Sequence, residues 1–385
     1  MIVDLLWLLL PVAAASGWFV AQLKGQKTSV NLFPDYFKGL NYLLNEEPDK
    51  AIDVFIKLIE IDSDTVETHL ALGVLFRRRG EVNRAIRIHQ NLIKKVALHP
   101  QQRSLALFEL GKDYRHAGLL DRAETLFQEL VEANLHKVSA LRQLLEIYQQ
   151  EHDWTNSINT AQQLASIYEE PIHVVIAQYY CEQAEVYLRQ QQYDIALKVI
   201  QQALKTDSNC VRASLLEGNL ALNQQEYKRA ILAFKRIEKQ DSDYLNEVVE
   251  PLQACYKEIE QQSEFTDYLW HILDNYGGIA PMLMLANIIK QQSDEQQAVD
   301  FIVEQIHKHP SLRGLEYLLG LVLSKTDCIT REHLLLLKDL TTQLLQNKPA
   351  YKCNQCGFTA RKLYWQCPSC KQWSTFKSVQ GINQE

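Results

Sequence analysis

Glycine and proline are scarce in this chain of 385 residues, 14 and 10 respectively. So few backbone breakers argue against a loop-rich or low-complexity chain and favour long helices joined by short turns. Runs with the two-residue period of a strand are equally hard to find, so no sheet-based core is expected. Basic charge is not in excess either: 40 Lys and Arg stand against 47 Asp and Glu, for a net charge of −7. A protein that grips phosphate backbones would carry a basic face or domain, so no nucleic-acid partner is expected. Also missing are a Walker A loop, G-x-G-x-x-G, G-x-S-x-G and H-E-x-x-H, and the one Gly pair, Gly277-Gly278, stands where a turn is needed. No catalytic machinery is legible, and the chain reads as a non-enzyme.

What is there begins with a period. At 385 residues the chain exceeds the roughly 100–200 residues of a usual domain, so several domains or a repeat array must share the burial. Gly39, Gly73 and Gly111 each stand three residues before an aromatic (Tyr42, Phe76, Tyr114) and twelve before a small residue (Ala51, Ala85, Ala123). Ser157, Ala196, Ala230, Glu264, Ala298 and Glu332 continue that later position at spacings of 34, with 38 before Ala123 and 39 before Ala196. The nine resulting units resemble the tetratricopeptide repeat, whose two helices approach closely only where small residues sit at their crossing. The first unit fits best, through Gly39, Tyr42, Ala51 and Phe55, and Pro310 keeps the repeat's closing proline. Gln pairs at 149–150, 190–192, 224–225, 261–262 and 291–292 fall near the turns within units. The two longer spacings are expected to extend helices or loops around Leu98–Gln102 and Glu169–Ile172.

Stacked units of this kind form a superhelix whose concave face, lined by first helices, suits an extended peptide or a partner domain. The second to fourth units place Arg77, Arg78, Lys112, Arg115 and Arg142 on that face. These five are candidate partner-binding residues, a ladder for an acidic peptide or carboxylate; the plainer reading is a row of solvated charges.

From Leu5 to Leu23 run nineteen residues without a charge. At about 1.5 Å per residue they cross a hydrocarbon core of roughly 30 Å. Only Asp4 precedes them and Lys24 and Lys27 follow, which argues against a secretory signal and for a single-pass anchor with the C-terminal body in the cytoplasm. Trp7 and Trp18 suit the two interfaces, Pro11 a kink, and Ser16-Gly17 a close helix contact.

A cytoplasmic body keeps its thiols reduced. Cys181, Cys210, Cys255 and Cys328 stand singly in helical patterns and read as small buried hydrophobes. Cys353, Cys356, Cys367 and Cys370 differ, forming C-x2-C-x10-C-x2-C. Four thiolates so spaced suit one tetrahedral metal ion, zinc or iron, on two knuckles, with Gly357 permitting the first turn and Pro368 fixing the second. So short a segment buries too little to fold unaided, so the metal must hold it. Four cysteines leave no open position for catalysis. The knuckles CNQCG and CPSC resemble those of rubredoxin, which leaves a redox role as an alternative, although rubredoxins space their pairs farther apart.

Taken end to end, LLLPVAAA and GW in the first helix, nine tetratricopeptide-like units, and CGFTA, LYW, CPSC and WS in the tail resemble the lipopolysaccharide assembly protein B family of Gram-negative bacteria. The resemblance implies an all-α fold: a tetratricopeptide-repeat superhelix with an N-terminal transmembrane helix and a small C-terminal rubredoxin-like knuckle in which four cysteines hold the metal. The domains would be an anchor over 1–23, a linker over 24–31, nine repeats over 32–346, the metal-binding domain over 347–378 and a tail over 379–385. It implies an inner-membrane adaptor that promotes degradation of the lipid A pathway's committed-step deacetylase (UDP-3-O-acyl-N-acetylglucosamine deacetylase) by a membrane-anchored FtsH-type AAA+ metalloprotease. Coupling to a membrane lipopolysaccharide sensor is implied as well, through the anchor helix. A passive platform for lipopolysaccharide synthesis and export enzymes is the alternative, and homo-oligomerisation is left open. By the same resemblance the metal domain packs on the repeats, where Leu334–Leu337 and Trp365 are expected to fix it to the last units.

Overall fold

The computed structural model describes residues 37–39, 41–42, 47, 50–54, 66–94, 98–167, 172–292, 294–323 and 328–379, apart from the side chains of 328–330 and 347. The expected membrane helix over 5–23 and Phe55 of the first unit lie outside them. No helix among the described residues is long and apolar enough to cross a membrane.

From residue 66 onward, sixteen α-helices follow one another among the described residues. They are α1 (Val66–Arg78), α2 (Val82–Lys94), α3 (Pro100–His116), α4 (Leu120–Glu132), α5 (Lys137–Glu151), α6 (Trp154–Ile167), α7 (Ile172–Arg189) and α8 (Tyr193–Thr206). Then come α9 (Val211–Asn223), α10 (Tyr227–Gln240), α11 (Val249–Glu258), α12 (Gln262–Tyr276), α13 (Ile279–Gln292), α14 (Glu295–Lys308), α15 (Leu312–Leu323) and α16 (Cys328–Asn347). A 3-10 turn, Ser242–Glu247, precedes α11. The even-numbered helices are the second helices of their units. Both long spacings lengthen first helices, α3 to 17 residues and α7 to 18, against 13 in α1.

Several second helices share one packing code. Ala123, Phe127 and Leu130 of α4 are buried at positions 0, +4 and +7, the stripe that a 3.6-residue period presents to one side. Ala196, Ile200 and Ala203 repeat it in α8, and Ala230, Phe234 and Ile237 in α10. The small first residue lets a first helix come close, and in α4 and α10 the ring at +4 then meets a glycine on it. A Cβ on Gly218 would stand 2.4 Å from the Phe234 ring, and one on Gly111 would stand 2.7 Å from Phe127. In α12 the buried set is Phe265, Leu269 and Ile272, so the frame slips by one residue and Glu264 is exposed in the first turn. Glu264 is thus not the seventh unit's equivalent of alanine; Phe265 is.

Six of the turns within units close the same way. The backbone N–H of Glu81, Leu119, Asp153, Gln192, Glu226 and Gln261 donates to the carbonyl five residues earlier. That is the Schellman arrangement, which requires a left-handed residue just before the donor. Gly80 and Gly118 supply it with φ of 81° and 75°, whereas His152, Gln191, Gln225 and Glu260 adopt it with a side chain, at φ of 57–62°. The Gln-rich stretches mark these turns.

Residues Met1–Ile147 and Tyr148–Glu385 form two compact units. In the first, Val66, Leu70, Phe76, Ile88 and Leu92 join Ile52 and Ala106 in one buried cluster. In the second, the largest cluster runs from Val211 to Ile302 and takes in the partly buried Leu363 and Trp365 of the tail. The tail carries three short antiparallel strands in the order β2-β1-β3: β1 (Tyr351–Cys353), β2 (Thr359–Ala360) and β3 (Phe376–Ser378).

Candidate metal centre

The four tail cysteines come together. Their sulfurs all lie within 4.8 Å of one another. Cys353 Sγ and Cys370 Sγ are 3.8 Å apart, and Cys356 Sγ and Cys367 Sγ 3.6 Å. A tetrahedron of sulfurs about 2.3 Å from a zinc ion has edges of about 3.8 Å, so the spacing suits a shared metal and is far too long for a disulfide. The chain forms these corners with two matched knuckles. Gly357 N–H donates to Cys353 O and Lys371 N–H to Cys367 O, both at 2.9 Å. Gly357 and Lys371 each follow the second cysteine of a pair and adopt φ of 77° and 59°. The second turn is therefore closed by a lysine in the left-handed region as well as by Pro368.

The sulfurs are unequal before a metal binds. Burial would raise the Cys353 thiol, yet the nearby Thr375 hydroxyl and the backbone N–H groups of Cys356 and Gln355 outweigh it and bring it down to about 6. The Gln372 N–H favours the Cys370 thiolate, but desolvation and the crowd of Cys367, Cys356 and Cys353 push that thiol up to about 12. One thiolate forms readily and the last is resisted, a conflict that a central cation resolves. The donor set completes four-coordination for zinc or iron alike.

The sheet face beside this centre is docked on first helices of the second unit. Trp365 stacks on Tyr244 of the 3-10 turn at a centroid distance of 5.5 Å, and the Arg212 guanidinium of α9 lies 5.8 Å from the same indole. Trp373 meets Tyr179 of α7 edge-on at 5.8 Å, and Tyr179 in turn stacks on Trp154. Polar bonds fix the register. Tyr244 Oη donates to Phe376 O at 2.8 Å, Tyr351 Oη to Glu247 Oε1 at 2.7 Å, and Gln178 Nε2 to Ser374 Oγ at 3.0 Å. Lys377 pairs with Asp241 and Asp243 and lies 4.3 Å from the Tyr244 ring centre. Burial, then the charges of Asp241, Asp243 and Glu247, push the Tyr244 phenol well above its usual range.

This placement corrects one expectation. Trp365 is held by Arg212 of the sixth repeat and Tyr244 at the entry to the seventh, not by the last repeats, and Leu335, Leu336 and Leu337 on α16 are exposed at 42–58%. Tyr244 and Tyr179 offer deeper aromatic partners than an aliphatic stripe does. The sequence did carry a signal: the acidic run Asp241, Asp243, Glu247 opens a first helix and complements the basic β3 residue Lys377.

The basic residues of the early repeats are not one ladder. Arg77 is buried, bonding Glu109 Oε2 at 2.5 Å and Asp113 Oδ1 at 2.7 Å on α3. Its guanidinium is spent between repeats. Asp113 also holds His89 Nδ1 at 2.5 Å, and His89 occupies the place against Gly73 that phenylalanine takes elsewhere. Arg115 pairs with Glu146, and Lys112 bonds Glu109 at 3.0 Å. Arg78 and Arg142 are exposed.

A model described as rubredoxin metal binding domain matches residues 351–378, and tetratricopeptide repeat models match 68–104 and 181–244. The chain is 38% identical to lipopolysaccharide assembly protein B of Escherichia coli (strain K12) over 385 residues, 99% of each chain. It is 35% identical to lipopolysaccharide assembly protein B of Haemophilus influenzae over 399 residues, covering 100% of this chain and 99% of that one. A solved structure of Naa15/Naa10 bound to HypK-THB overlays with a TM-score of 0.44 at 13% identity, covering 83% of this chain and 48% of that one.

Proposed function

Because the chain belongs to the lipopolysaccharide assembly protein B family, we propose that it is a membrane-associated, non-catalytic adaptor that regulates lipopolysaccharide assembly by holding partner proteins on its repeats. The observation that carries this reading is identity of 38% running through 99% of both chains, repeats and metal domain together. In its finer form, residues 1–23 anchor the chain in the inner membrane with the body in the cytoplasm. The repeats present the lipid A pathway's committed-step deacetylase to an FtsH-type protease, and the anchor helix meets a membrane lipopolysaccharide sensor.

Packing supports a division of labour. In the second unit the metal domain covers Tyr179, Arg212 and Tyr244 on the first-helix face, so partners there meet the outer side of the ribbon. On α1 and α5, Arg78 and Arg142 are exposed, and they are the proposed contacts for an acidic segment.

The test is the cellular half-life of the deacetylase after depletion of this protein, with wild type or Cys367→Ser restored. A half-life that lengthens on depletion and is shortened again only by wild type is the expected result. No change in any arm would remove the proteolytic reading and favour a passive platform.

A further inference from the structure

Two of the cysteines outside the metal centre meet. Cys181 on α7 and Cys210, the residue capping the N-terminus of α9, belong to successive first helices, and their sulfurs are 3.7 Å apart. Cys255, equally buried, has no second sulfur beside it among the described residues and behaves as the plain hydrophobe that all of them resemble in sequence. The pair lies in an apolar cluster with Ala177, Ala184, Ile200 and Ala213, and a polar side chain reaches into it. Gln178 Nε2 donates to Cys210 Sγ at 3.4 Å, and Arg212, two residues on, pairs with Glu182 and Glu185 of the helix that carries Cys181. The same Gln178 amide nitrogen donates to Ser374 of the metal domain.

We propose that Cys181 and Cys210 are a dithiol site that hydrogen peroxide closes to a disulfide, and that closure loosens the metal domain's hold on α7 through Gln178. Sulfurs at 3.7 Å need to approach by less than 2 Å to bond at about 2.05 Å. The two sulfurs have different parts. The Cys181 thiol's hydrogen bond, opposed by burial and aided by the Ala213 N–H, draws Cys210 below the usual thiol range, whereas burial, then Cys210, raises Cys181 well above it. Cys210 is the attacking sulfur. Its thiolate takes one peroxide oxygen, the O–O bond breaks, and the departing hydroxide is protonated to water, leaving a sulfenic acid. Cys181 Sγ then attacks that sulfur, the S–O bond breaks, and the leaving hydroxide takes the Cys181 proton as a second water. Two thiols and one peroxide give one disulfide and two waters. With 0% and 2% exposure, the pair admits a small neutral oxidant through local opening and excludes bulky ones. A disulfide sulfur accepts hydrogen bonds poorly, so Gln178 loses one of the two partners that set its orientation toward Ser374.

The experiment treats full-length, metal-loaded protein with peroxide, removes the excess, alkylates after denaturation and maps the cysteines by mass spectrometry. A Cys181–Cys210 linked peptide, cleaved by dithiothreitol, with Cys255 still a thiol, is expected. In Cys181→Ser, dimedone should trap a sulfenic acid on Cys210. Hydrogen exchange over residues 373–376 should rise severalfold on closure in wild type and not in Cys181→Ser. The proposal is overturned if Cys181 and Cys210 stay alkylatable while Cys255 oxidises, or if dimedone labels Cys181 in Cys210→Ser but never Cys210 in Cys181→Ser. Linked sulfurs with unchanged exchange would overturn the coupling to the metal domain.

Discussion

Arg77 and Arg212 start from the same chemistry and end in different roles. Both lie on first helices, both are buried, and each binds two carboxylates of a neighbouring repeat. Around Arg77 the partners are Glu109 and Asp113, with side chains only 11% and 0% exposed, and the charge is closed off. Around Arg212 the partners are Glu182 and Glu185, at 22% and 34%, and the guanidinium also meets Trp365. A basic first-helix residue is therefore no sign of a ligand in itself. What marks the docking place in this protein is an arginine that a tail indole meets, with that indole stacked on a tyrosine.

The sharpest break of that comparison is to remove one side of the closed cluster. Asp113→Ala leaves Arg77 and His89 facing each other without their shared carboxylate, and should destabilise the first unit by about 3–5 kcal/mol, read as a shift in the urea midpoint. Arg77→Glu should act similarly by gathering three acids, so lost partner capture in that variant reports unfolding, not recognition. At the docked face, Tyr179→Ala should cost about 3 kcal/mol and free Trp373, seen as a change in its fluorescence. Tyr179→Phe should leave docking intact, because the phenol oxygen has no hydrogen-bond partner among the described residues. An effect of Phe as large as that of Ala would show that the hydroxyl matters after all.

Acid should separate the two clusters more gently. Desolvation would raise Glu109, but hydrogen bonds from Arg77 and Lys112 hold it below the usual carboxylate range. A depressed folded value contributes stability that is present above the unfolded pKa of about 4.3 and is lost as pH falls through the folded one. Thermal melts of wild type should therefore fall below about pH 4 more steeply than those of Glu109→Gln. The smallest expected effect is at a turn: Gln225→Gly relieves a left-handed side chain at φ of 62° and should stabilise by up to about 1 kcal/mol. Destabilisation there would mean that the glutamine side chain contributes more than its backbone strain costs.

The repeat frame was legible because its smallest positions cannot vary freely: Ala85, Ala123, Ser157, Ala196, Ala230 and Ala298 are all fully buried at helix crossings. The ligand set was legible because two C-x-x-C pairs specify their own geometry. Phe265 was missed since Glu264 stands in phase with a 34-residue count, and only the left-handed Glu260 shows that the turn had slipped. The fate of Arg77 was half legible, its partners lying one repeat on, at 32 and 36 residues. Docking was not: the contacts from Gln178 to Ser374 and Tyr244 to Phe376 span 196 and 132 residues, and no local period marks them.

A metal-held ribbon that covers the first-helix face of the fifth to seventh repeats must shield that face only while it is folded. Hydrogen exchange on wild type and Cys367→Ser shows whether it does. Loss of the metal ligand should remove protection over 351–378 and also raise exchange in α7 and the 3-10 turn before α11, with α3 and α4 unchanged. Exchange that rises in the ribbon alone, with residues 172–189 and 242–247 as protected as before, would contradict it.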